Sequence, residues 1–318
     1  MHKILLKRSS VSSRVTIAVM STTIKPVRKA VIAAAGFGTR FLPQTKAMPK
    51  EMLPLVDKPI IQYIVEELVQ SGIEDIVIVT GYHKRSVEDH FDHTSAELRA
   101  NLKKGNKIEL LEETRKISQL ANFAYIRQKG PYGNGTPLLN AEHLIGDEPF
   151  IYTFADDFVV ADPLRFRQMI DVYARTGSSV LTCIRVKDDE DYKRYGIIAG
   201  EQIEDGLSRV RTIIEKPGKE NAPSNLASVS GYLFTPEIFG YLHTALTELQ
   251  AGQEFYQQTA MQAMIDDGQE IIACEIKNGR YYDTGNKLEY LKTVVEFALA
   301  HPELGEDFRA YIKSLSVV

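Results

Sequence analysis

The segment KAVIAAAGFGTRFLPQTKAMPKEMLP, residues 29–54, leads from an apolar run into a loop that carries glycines and cations. Gly36 and Gly38 allow the backbone to approach an anion closely, because glycine lacks the side chain that would block it. Arg40 and Lys50 add positive charge, which would stabilise negative charge on phosphate oxygens during a transfer reaction. The segment therefore indicates either a phosphate-binding loop or a glycine turn with solvated cations.

Two familiar phosphate-binding patterns do not fit this loop. The dinucleotide fingerprint requires a third glycine that opens a helix, but Phe41 stands at that position and Pro43 interrupts the helix. The P-loop requires lysine and a hydroxyl residue after its last glycine, whereas Gly38 is followed by threonine and arginine. A third arrangement remains, in which backbone N–H groups face a triphosphate and the cations assist.

Carboxylates occur at two distant places where they could meet. YTFADDF ends an apolar strand in Asp156 and Asp157, and ligands bind at the carboxyl ends of strands in open α/β sheets. Asp156 is therefore placed to hold a metal such as Mg²⁺, or it forms a polar strand end. GRYYDTGNKLEY is predicted to place Asp283 in a turn before a helix, where it could also be a helix-entry aspartate.

Further polar residues follow predicted strands. Glu215 and Lys216 come after the strand RVRTII and could bind sugar hydroxyls and a phosphate, or form an exposed ion pair. Gln128 in RQKGPYGNGTP could pair with both a carbonyl and an N–H group of a pyrimidine. The seven histidines show no metal spacing, and we interpret His90 and His93, three residues apart, as structural.

Strands and helices alternate through the first half of the chain. KAVIAAA, IEDIVIVTG, FAYIRQ and PFIYTFADD predict strands, and KPIIQYIVEELVQSG predicts an amphipathic helix that ends at Gly72. This alternation is typical of a mostly parallel sheet. Residues 95–120 are polar and helical, which predicts an insertion that is either a solvated face or a subunit contact.

Shorter strands and helices mix beyond residue 175. SSVLTCIRV, GIIAG, RVRTIIEKP, SVSGYLF and EIIACEI predict strands, and helices are expected at about 285–315 near the end of the chain. No repeat or low-complexity linker divides the region. We therefore expect one α/β domain over residues 25–318, with a Rossmann-like, mixed but mostly parallel central sheet flanked by helices.

Composition excludes several classes of protein. The 318 residues carry a net charge of -4, unlike the clearly basic domains that bind nucleic acid non-specifically. The sequence contains no run of 18 apolar residues, so we expect no membrane span. Cys183 and Cys274 lie in apolar stretches and are expected to be buried thiols, which suits the reducing cytoplasm. Residues 1–24 are expected to be a flexible leader; Met20 as the real start, or a weak signal peptide, are alternatives.

Taken together, GFGTRFLPQTKAMPKEMLPLVDKPIIQY resembles the start of the bacterial UTP–glucose-1-phosphate uridylyltransferases, which are sugar-1-phosphate nucleotidyltransferases. The Gly-x-Gly-Thr-Arg and Pro-Lys elements are shared across that superfamily, and TKAMPKEMLPLVDKP is more particular to the uridylyltransferases. The resemblance covers residues 28–315. It implies a GT-A-like nucleotidyltransferase fold, a homodimer or homotetramer, and Mg²⁺-dependent transfer of UMP from UTP to glucose 1-phosphate.

The resemblance also implies roles for individual residues. It assigns catalysis to Arg40, Lys50 and Lys216, and Mg²⁺ binding to Asp156 and Asp283. The nucleotide would contact Ala34, Ala35, Gly36, Gly38, Thr39, Gln128 and Gly133. The sugar would contact Tyr195, Gly196, Glu215 and Gly231, with Ser230 and Tyr232 beside the latter.

Two stretches depart from the family pattern. GQEFYQQTAM replaces the usual Gly-Asp-Glu-Ile-Gln-Leu-Thr-Asp run, and Gly135-Thr136-Pro137 replaces Gly-His-Ala. The departures concern the sugar, the pocket shape and the subunit contact rather than the core chemistry. A thymidylyltransferase that uses dTTP is the nearest alternative, because one methyl group changes binding by only about 1–3 kcal/mol. A non-catalytic paralogue that binds nucleotide sugars is another alternative. Such a protein would be expected to lack at least one of the five charged residues of the site, and all five are present: Arg40, Lys50, Asp156, Lys216 and Asp283.

Overall fold

The computed structural model describes residues 24–315, so the predicted leader lies outside the described residues except for Ile24. The strands of this part, in chain order, are β1 Lys29–Ala34, β2 Pro54–Leu55, β3 Lys58–Pro59, β4 Asp75–Thr80, β5 Asn122–Arg127, β6 Phe150–Phe154, β7 Asp157–Ala161, β8 Ser179–Arg185, β9 Gly196–Glu204, β10 Leu207–Glu215, β11 Leu226–Phe234, β12 Ile271–Glu275 and β13 Gly279–Asp283. The helices are α1 Ile60–Gln70, α2 Arg85–Phe91, α3 Ala96–Lys104, α4 Ile108–Ile117, α5 Thr136–Ile145, α6 Arg165–Thr176, α7 Ile238–Glu248, α8 Gln257–Asp266, α9 Lys287–Ala300 and α10 Gly305–Leu315.

Within residues 24–315, nine strands form the central sheet in the order β5-β4-β1-β6-β11-β8-β12-β10-β9. The first four are parallel to one another, and so are β8 and β12. Strands β10 and β11 run against their neighbours. The predicted α/β fold, with a mixed but mostly parallel sheet, is confirmed. β1 lies between β4 and β6 and is apolar on both faces, as a central parallel strand requires.

Helix α1 shows how the sequence fixes the packing of one face of the sheet. Its Ile60, Ile61, Ile64, Val65 and Leu68 recur at helical spacing and are buried against the sheet. The helix ends at Gln70, Ser71 is its C-cap residue, and Gly72 follows with a φ of 101°. The helix predicted from KPIIQYIVEELVQSG and its termination before Gly72 are thus confirmed, but its start is not, because Lys58 and Pro59 form β3 and the helix begins at Ile60.

The polar region at 95–120 forms the two short helices α3 and α4, as predicted. The Ser95 side chain accepts a hydrogen bond from the Leu98 N–H group and so begins α3. In α4 no residue is fully buried, although Ile117 at its end contacts the core. No helix of the described chain has the length and apolarity needed to cross a bilayer.

Histidine 90 is structural, and it makes the stability of the fold depend on pH. Its Nε2 lies 2.9 Å from Oε1 of Gln62 on α1, and burial lowers the pKa of His90 from its usual value. The unfolded chain therefore takes up a proton as the pH falls through 6.5, while the folded chain does not. We expect stability to be fully present above that pH and to decline below it. Melting temperatures at pH 7.5 and 5.5 should differ more for the native chain than for His90→Gln; an equal difference would contradict this.

Candidate active site

A cavity of about 330 Å³ opens at the carboxyl ends of β1, β5 and β6, the edge where open α/β sheets bind ligands. The glycine loop forms one side of it, and the stretch after β5 forms the other. Its lining residues are Ala33, Ala35, Gly36, Phe37, Arg40, Lys50, Gln128, Tyr132, Gly133, Asn134, Pro137, Phe154 and Asp156. The cavity therefore gathers residues that the sequence predicts for phosphate, base and metal binding.

Opposite charges meet on one wall of this cavity. Nζ of Lys50 lies 2.6 Å from Oδ2 of Asp156, and the Arg40 guanidinium lies 4.0 Å from the same oxygen. Burial alone would lower the pKa of Lys50, but the charges of Asp156 and Glu51 raise it. Burial likewise opposes ionisation of Asp156, yet the Lys50 ammonium holds the pKa of that carboxyl low. Both groups are therefore charged near neutral pH.

A second ion pair, buried beneath the first, fixes the backbone that carries Lys50. Nζ of Lys84 lies 2.9 Å and 2.7 Å from the two carboxylate oxygens of Glu51, and neither side chain is exposed. Burial raises the pKa of Glu51 and lowers that of Lys84, so desolvation weighs against this pair. A buried pair of this kind is weak evidence for stability but holds its two segments in one geometry. The sequence analysis did not predict the pair of Glu51 and Lys84. The only sequence feature that could have suggested it is the acidic residue next to Lys50.

The short β7–β13 ladder brings the two distant carboxylates together. It pairs Asp283 with Asp157, one residue from Asp156, and the Thr284 hydroxyl donates to the Asp156 carbonyl oxygen at 2.6 Å. Burial and the charge of Asp156 raise the pKa of Asp283. The predicted meeting of these two residues is therefore present in the structure.

The local interpretation of Asp283 needs correction. Asp283 ends β13 instead of lying in a turn, because its neighbours pair with β7. It does not begin helix α9 either, since the Asn286 side chain accepts hydrogen bonds from the N–H groups of Leu288 and Glu289. The helix-entry alternative is therefore wrong; instead, Oδ1 of Asp283 accepts a hydrogen bond from the Gly285 N–H group at 3.1 Å.

Asp157 differs from its neighbour because successive side chains of a strand point to opposite faces. Its Oδ2 accepts a hydrogen bond from the Tyr281 hydroxyl at 2.8 Å, and its Oδ1 is buried with no partner within residues 24–315. Burial, with the charge of Asp156, raises the pKa of Asp157 to about 7. Asp157 thus supports the β7–β13 ladder through Tyr281, and its carboxyl binds a proton much more readily than an ordinary aspartate.

The donor set at Asp156 and Asp283 suits a hard divalent cation. Both side chains are carboxylates, and the pKa of Asp283 is raised first by burial and then by the charge of Asp156, which a cation between them would offset. The described residues hold no cluster of three or more histidine, cysteine or acidic side chains fit for a metal. Two carboxylates completed by phosphate oxygens are an ordinary arrangement for Mg²⁺, so these residues fit that ion.

The predicted sugar-binding residues form a neighbouring group. Gly196 pairs with Glu215 across β9 and β10, and the Lys216 N–H donates to the Tyr195 carbonyl oxygen at 3.2 Å. Nζ of Lys216 lies 3.3 Å from Glu215, and both side chains are more than half exposed. Burial raises the pKa of Tyr195, and the nearby charge of Asp283 adds to this, which links the group to the carboxylate pair. Both alternatives for Glu215 and Lys216, an ion pair and ligand binding, remain compatible with this geometry.

A bulge in β11 presents Gly231 beside that group. The pairing of β11 with β8 shifts register between Ser228 and Tyr232, and Gly231 has a φ of 109°. A Cβ atom there would lie 2.5 Å from the Thr182 hydroxyl oxygen, so only glycine fits. The buried Arg165 donates to the Ser230 carbonyl oxygen at 2.9 Å and holds the bulge in place.

The predicted nucleotide residues divide into two sets. Ala35, Gly36, Gln128 and Gly133 line the cavity, whereas Ala34, Gly38 and Thr39 do not. The Ala34 side chain is fully buried in the core, because it points to the opposite face of β1 from Ala33. Any contact of Ala34 with a nucleotide would therefore be made by its backbone.

The two stretches that depart from the family pattern contact each other. The Phe255 N–H donates to the Tyr132 carbonyl oxygen at 2.6 Å, and the Gly135 N–H donates to the Phe255 carbonyl oxygen at 2.9 Å. Asn134 accepts from the Gln257 N–H at 3.0 Å. A Cβ atom at Gly133 would lie 2.1 Å from the Phe255 carbonyl oxygen. GQEFYQQTAM therefore anchors the loop beside the cavity, a role that the sequence did not reveal.

Tyr256 of the same segment is paired with an acid of its own run. Tyr256 donates to Glu254 at 2.5 Å, and its pKa is raised by that bond, by desolvation and by the charges of Glu254 and Glu215. The departure thus extends from the nucleotide loop toward Glu215. An aromatic residue within a polar run was the signal for it.

The chain matches a known protein family and is similar in sequence to curated relatives. The nucleotidyl transferase family model matches residues 29–298. A UTP–glucose-1-phosphate uridylyltransferase of Staphylococcus epidermidis is 46% identical over 92% of this chain and 100% of its own length. One from Bacillus subtilis is 48% identical over 92% of this chain and 98% of its own.

Solved structures that resemble this chain include UDP-glucose pyrophosphorylases. A UDP-glucose pyrophosphorylase complexed with UDP-glucose is 37% identical, with a TM-score of 0.74, over 91% of this chain and 99% of the other. The UTP-bound enzyme from Acinetobacter baumannii is 34% identical, with a TM-score of 0.82 and the same coverage. The chain therefore belongs to the nucleotidyl transferase family, within the group that contains the UTP–glucose-1-phosphate uridylyltransferases.

Proposed function

We propose that the protein transfers UMP from UTP to glucose 1-phosphate and releases pyrophosphate. The observation that carries the proposal is the convergence of Arg40, Lys50 and Asp156 on one cavity that also holds Gln128. Asp283 does not line this cavity, but the β7–β13 ladder pairs it with Asp157, the residue after Asp156. Relatives at 46–48% identity that span nearly the whole chain bear the name of this activity. The product is UDP-glucose.

The reaction needs positioning and charge stabilisation rather than a nucleophilic side chain. A phosphate oxygen of glucose 1-phosphate attacks the α-phosphorus of UTP in line, and the bond from that phosphorus to the β-phosphate oxygen breaks. Arg40 would hold the β- and γ-phosphates and the departing pyrophosphate. Lys50, a partly buried cation, would stabilise charge on the α-phosphate, and Lys216 would hold the sugar phosphate.

Asp156 and Asp283 would hold the Mg²⁺ ion of this site. When bound, the ion would neutralise charge on the phosphate oxygens that complete its coordination. Lys50 already contacts Asp156 at 2.6 Å, so its ammonium keeps that carboxylate ionised at neutral pH. The Lys84–Glu51 pair beneath keeps the Lys50 backbone in register with Asp156.

Recognition would divide between the two sides of the site. The Gln128 amide and the Gly133 backbone would bind the uracil edge, with Ala35, Gly36, Gly38, Thr39 and the backbone of Ala34 along the nucleotide. Glu215 would accept hydrogen bonds from sugar hydroxyls, with Tyr195, Gly196 and Gly231 around the ring.

The wider organisation remains our interpretation. We propose that residues 25–318 act as one domain, because the central sheet takes strands from both halves of the chain. We propose a homodimer or homotetramer, and the exposed Leu98, Ile108 and Leu110 of α3 and α4 offer one contact surface. Cys183 and Cys274 are buried free thiols, as predicted, and suit the cytoplasm that we propose as the location.

The experiment that tests the proposed function is pyrophosphate release with Mg²⁺ across a grid of substrates. The nucleotides are UTP, dTTP, CTP, ATP and GTP, and the sugars are the 1-phosphates of glucose, galactose, N-acetylglucosamine and mannose. We expect the highest rate with UTP and glucose 1-phosphate. A maximum at dTTP would favour the thymidylyltransferase, and no release from folded protein that still binds UDP-glucose would favour the non-catalytic paralogue.

A further inference from the structure

Two aromatic side chains stand exposed on the cavity of about 330 Å³ at the carboxyl edge of the sheet. Phe37 lies inside the glycine loop and is 61% exposed, and Tyr132 precedes Gly133 and is 65% exposed. Their ring centroids are 5.7 Å apart and the ring planes are tilted by 58°. The two rings therefore bridge the two loops that flank the cavity, and both keep much of their apolar surface in water.

The backbones that carry these rings are held in place. The Tyr132 carbonyl oxygen accepts the 2.6 Å hydrogen bond from the Phe255 N–H, so the buried Phe255 fixes that loop from behind. The Thr45 hydroxyl donates to the Gly38 carbonyl oxygen at 2.7 Å and fixes the loop of Phe37. Exposed aromatic rings on a fixed backbone are typical of a surface that a ligand covers.

The cavity is lined by both charged and aromatic side chains. Arg40, Lys50 and Asp156 are the charged ones, and Phe37 and Tyr132 are the exposed aromatic ones. A nucleoside triphosphate combines the complementary groups, namely charged phosphates and a flat base. Every base has a π-face that can stack on an aromatic ring, whichever polar groups its edge carries.

We propose that Phe37 and Tyr132 form an aromatic clamp that closes over the base and ribose of the bound nucleoside triphosphate. The proposal rests on the proposed function and adds a source of affinity that is separate from selectivity. Stacking holds any pyrimidine, while the Gln128 amide, which lines the same cavity, distinguishes the polar edge. Uracil and thymine should therefore benefit equally from the clamp.

Steady-state kinetics of Phe37→Leu, Tyr132→Leu and the double variant test the clamp. We expect the KM for UTP to rise about tenfold in each single variant and further in the double variant. The KM for dTTP should rise by the same factor, whereas kcat and the KM for glucose 1-phosphate should change little. Tyr311→Leu, which removes an exposed ring from α10, is the matched control and should behave as the native chain.

The outcomes separate the clamp from the proposed function. An active native chain whose double variant keeps the native KM for UTP would overturn the clamp and leave the function intact. A native chain without activity on any nucleotide would instead remove the proposed function. A change in kcat without a change in the KM for UTP would also overturn the clamp, because stacking in the ground state acts on binding.

Nucleotide binding can also be measured by tryptophan fluorescence, because the native chain contains no tryptophan. Tyr132→Trp places a single indole in the clamp, and Tyr311→Trp places one on α10 as the control. Titration with UTP should change the emission of the Trp at 132 and leave that of the Trp at 311 unchanged. Unchanged emission at 132 under UTP saturation, with binding established by calorimetry, would contradict a stacked base.

Discussion

Asp156→Asn is expected to lower turnover by about a hundredfold or more while the protein stays folded. The substitution keeps the shape of the side chain but removes the charge that pairs with Lys50 at 2.6 Å. It also removes one of the two carboxylates proposed to hold Mg²⁺, and electrostatic groups of this kind are worth at least 10²-fold in rate, roughly, when removed singly. The Thr284 hydrogen bond goes to the backbone of Asp156, so the β7–β13 ladder keeps it.

Asp157→Asn is the matched control for this prediction. The two carboxylates are adjacent in the chain, but the Asp157 side chain faces Tyr281, and its pKa of about 7 makes it half neutral already. An asparagine resembles the protonated form, so turnover should fall far less than in the Asp156 variant. Rates at saturating UTP and glucose 1-phosphate, with thermal melts of both variants, decide the matter. Near-native turnover in Asp156→Asn would remove Asp156 from the mechanism.

The position of a site residue could be predicted where it depends only on the residue type and on the end of a neighbouring strand. Asp156 follows a buried strand, so its place at the carboxyl edge of the sheet follows from the fold class. Arg40 and Lys50 are cations in a loop that cannot become a regular helix, and that loop does contain only short 3₁₀ turns. These residues were predicted because local sequence alone determines where such a loop or strand end lies.

Other parts depend on contacts between distant segments, which local patterns do not encode. Strands β7 and β13 are short, and only their pairing takes Asp283 out of a turn and sets it beside Asp156. The Lys84–Glu51 pair joins residues 33 positions apart, and no spacing rule relates them. The interlock of Phe255 with Tyr132 likewise became visible only when both loops were placed. For Ala34, the register of β1 decides which face of the sheet the side chain points to, and a shift of one residue would turn it to the opposite face.

Loss of the buried Arg165 guanidinium is expected to cost about 3–5 kcal/mol of unfolding free energy. Arg165 is fully buried on α6, and its NH2 group lies 2.8 Å from Oε2 of Glu67 on α1. Burial raises the pKa of Glu67, which shows that this carboxylate depends on its partner to remain charged. Arg165→Met therefore leaves an unpaired buried acid and also removes the donor to the Ser230 carbonyl oxygen.

The control lies two residues away on the same helix. Arg167 forms an exposed pair with Asp171 at 3.3 Å, so Arg167→Met should change the unfolding free energy by less than about 1 kcal/mol. Denaturant titrations of both variants provide the comparison. The double variant Arg165→Met/Glu67→Met should be more stable than Arg165→Met, because it buries no unpaired charge.

The same variants link this buried pair to the proposed sugar pocket. Arg165 holds the Ser230 carbonyl, and the next residue is Gly231, whose bulge is proposed to line the sugar. The double variant restores burial without restoring that donor, so it should regain stability while its KM for glucose 1-phosphate stays raised. Recovery of both quantities together would show that the pair serves folding alone. Equal stability losses in Arg165→Met and Arg167→Met would instead show that burial of the pair carries no particular weight.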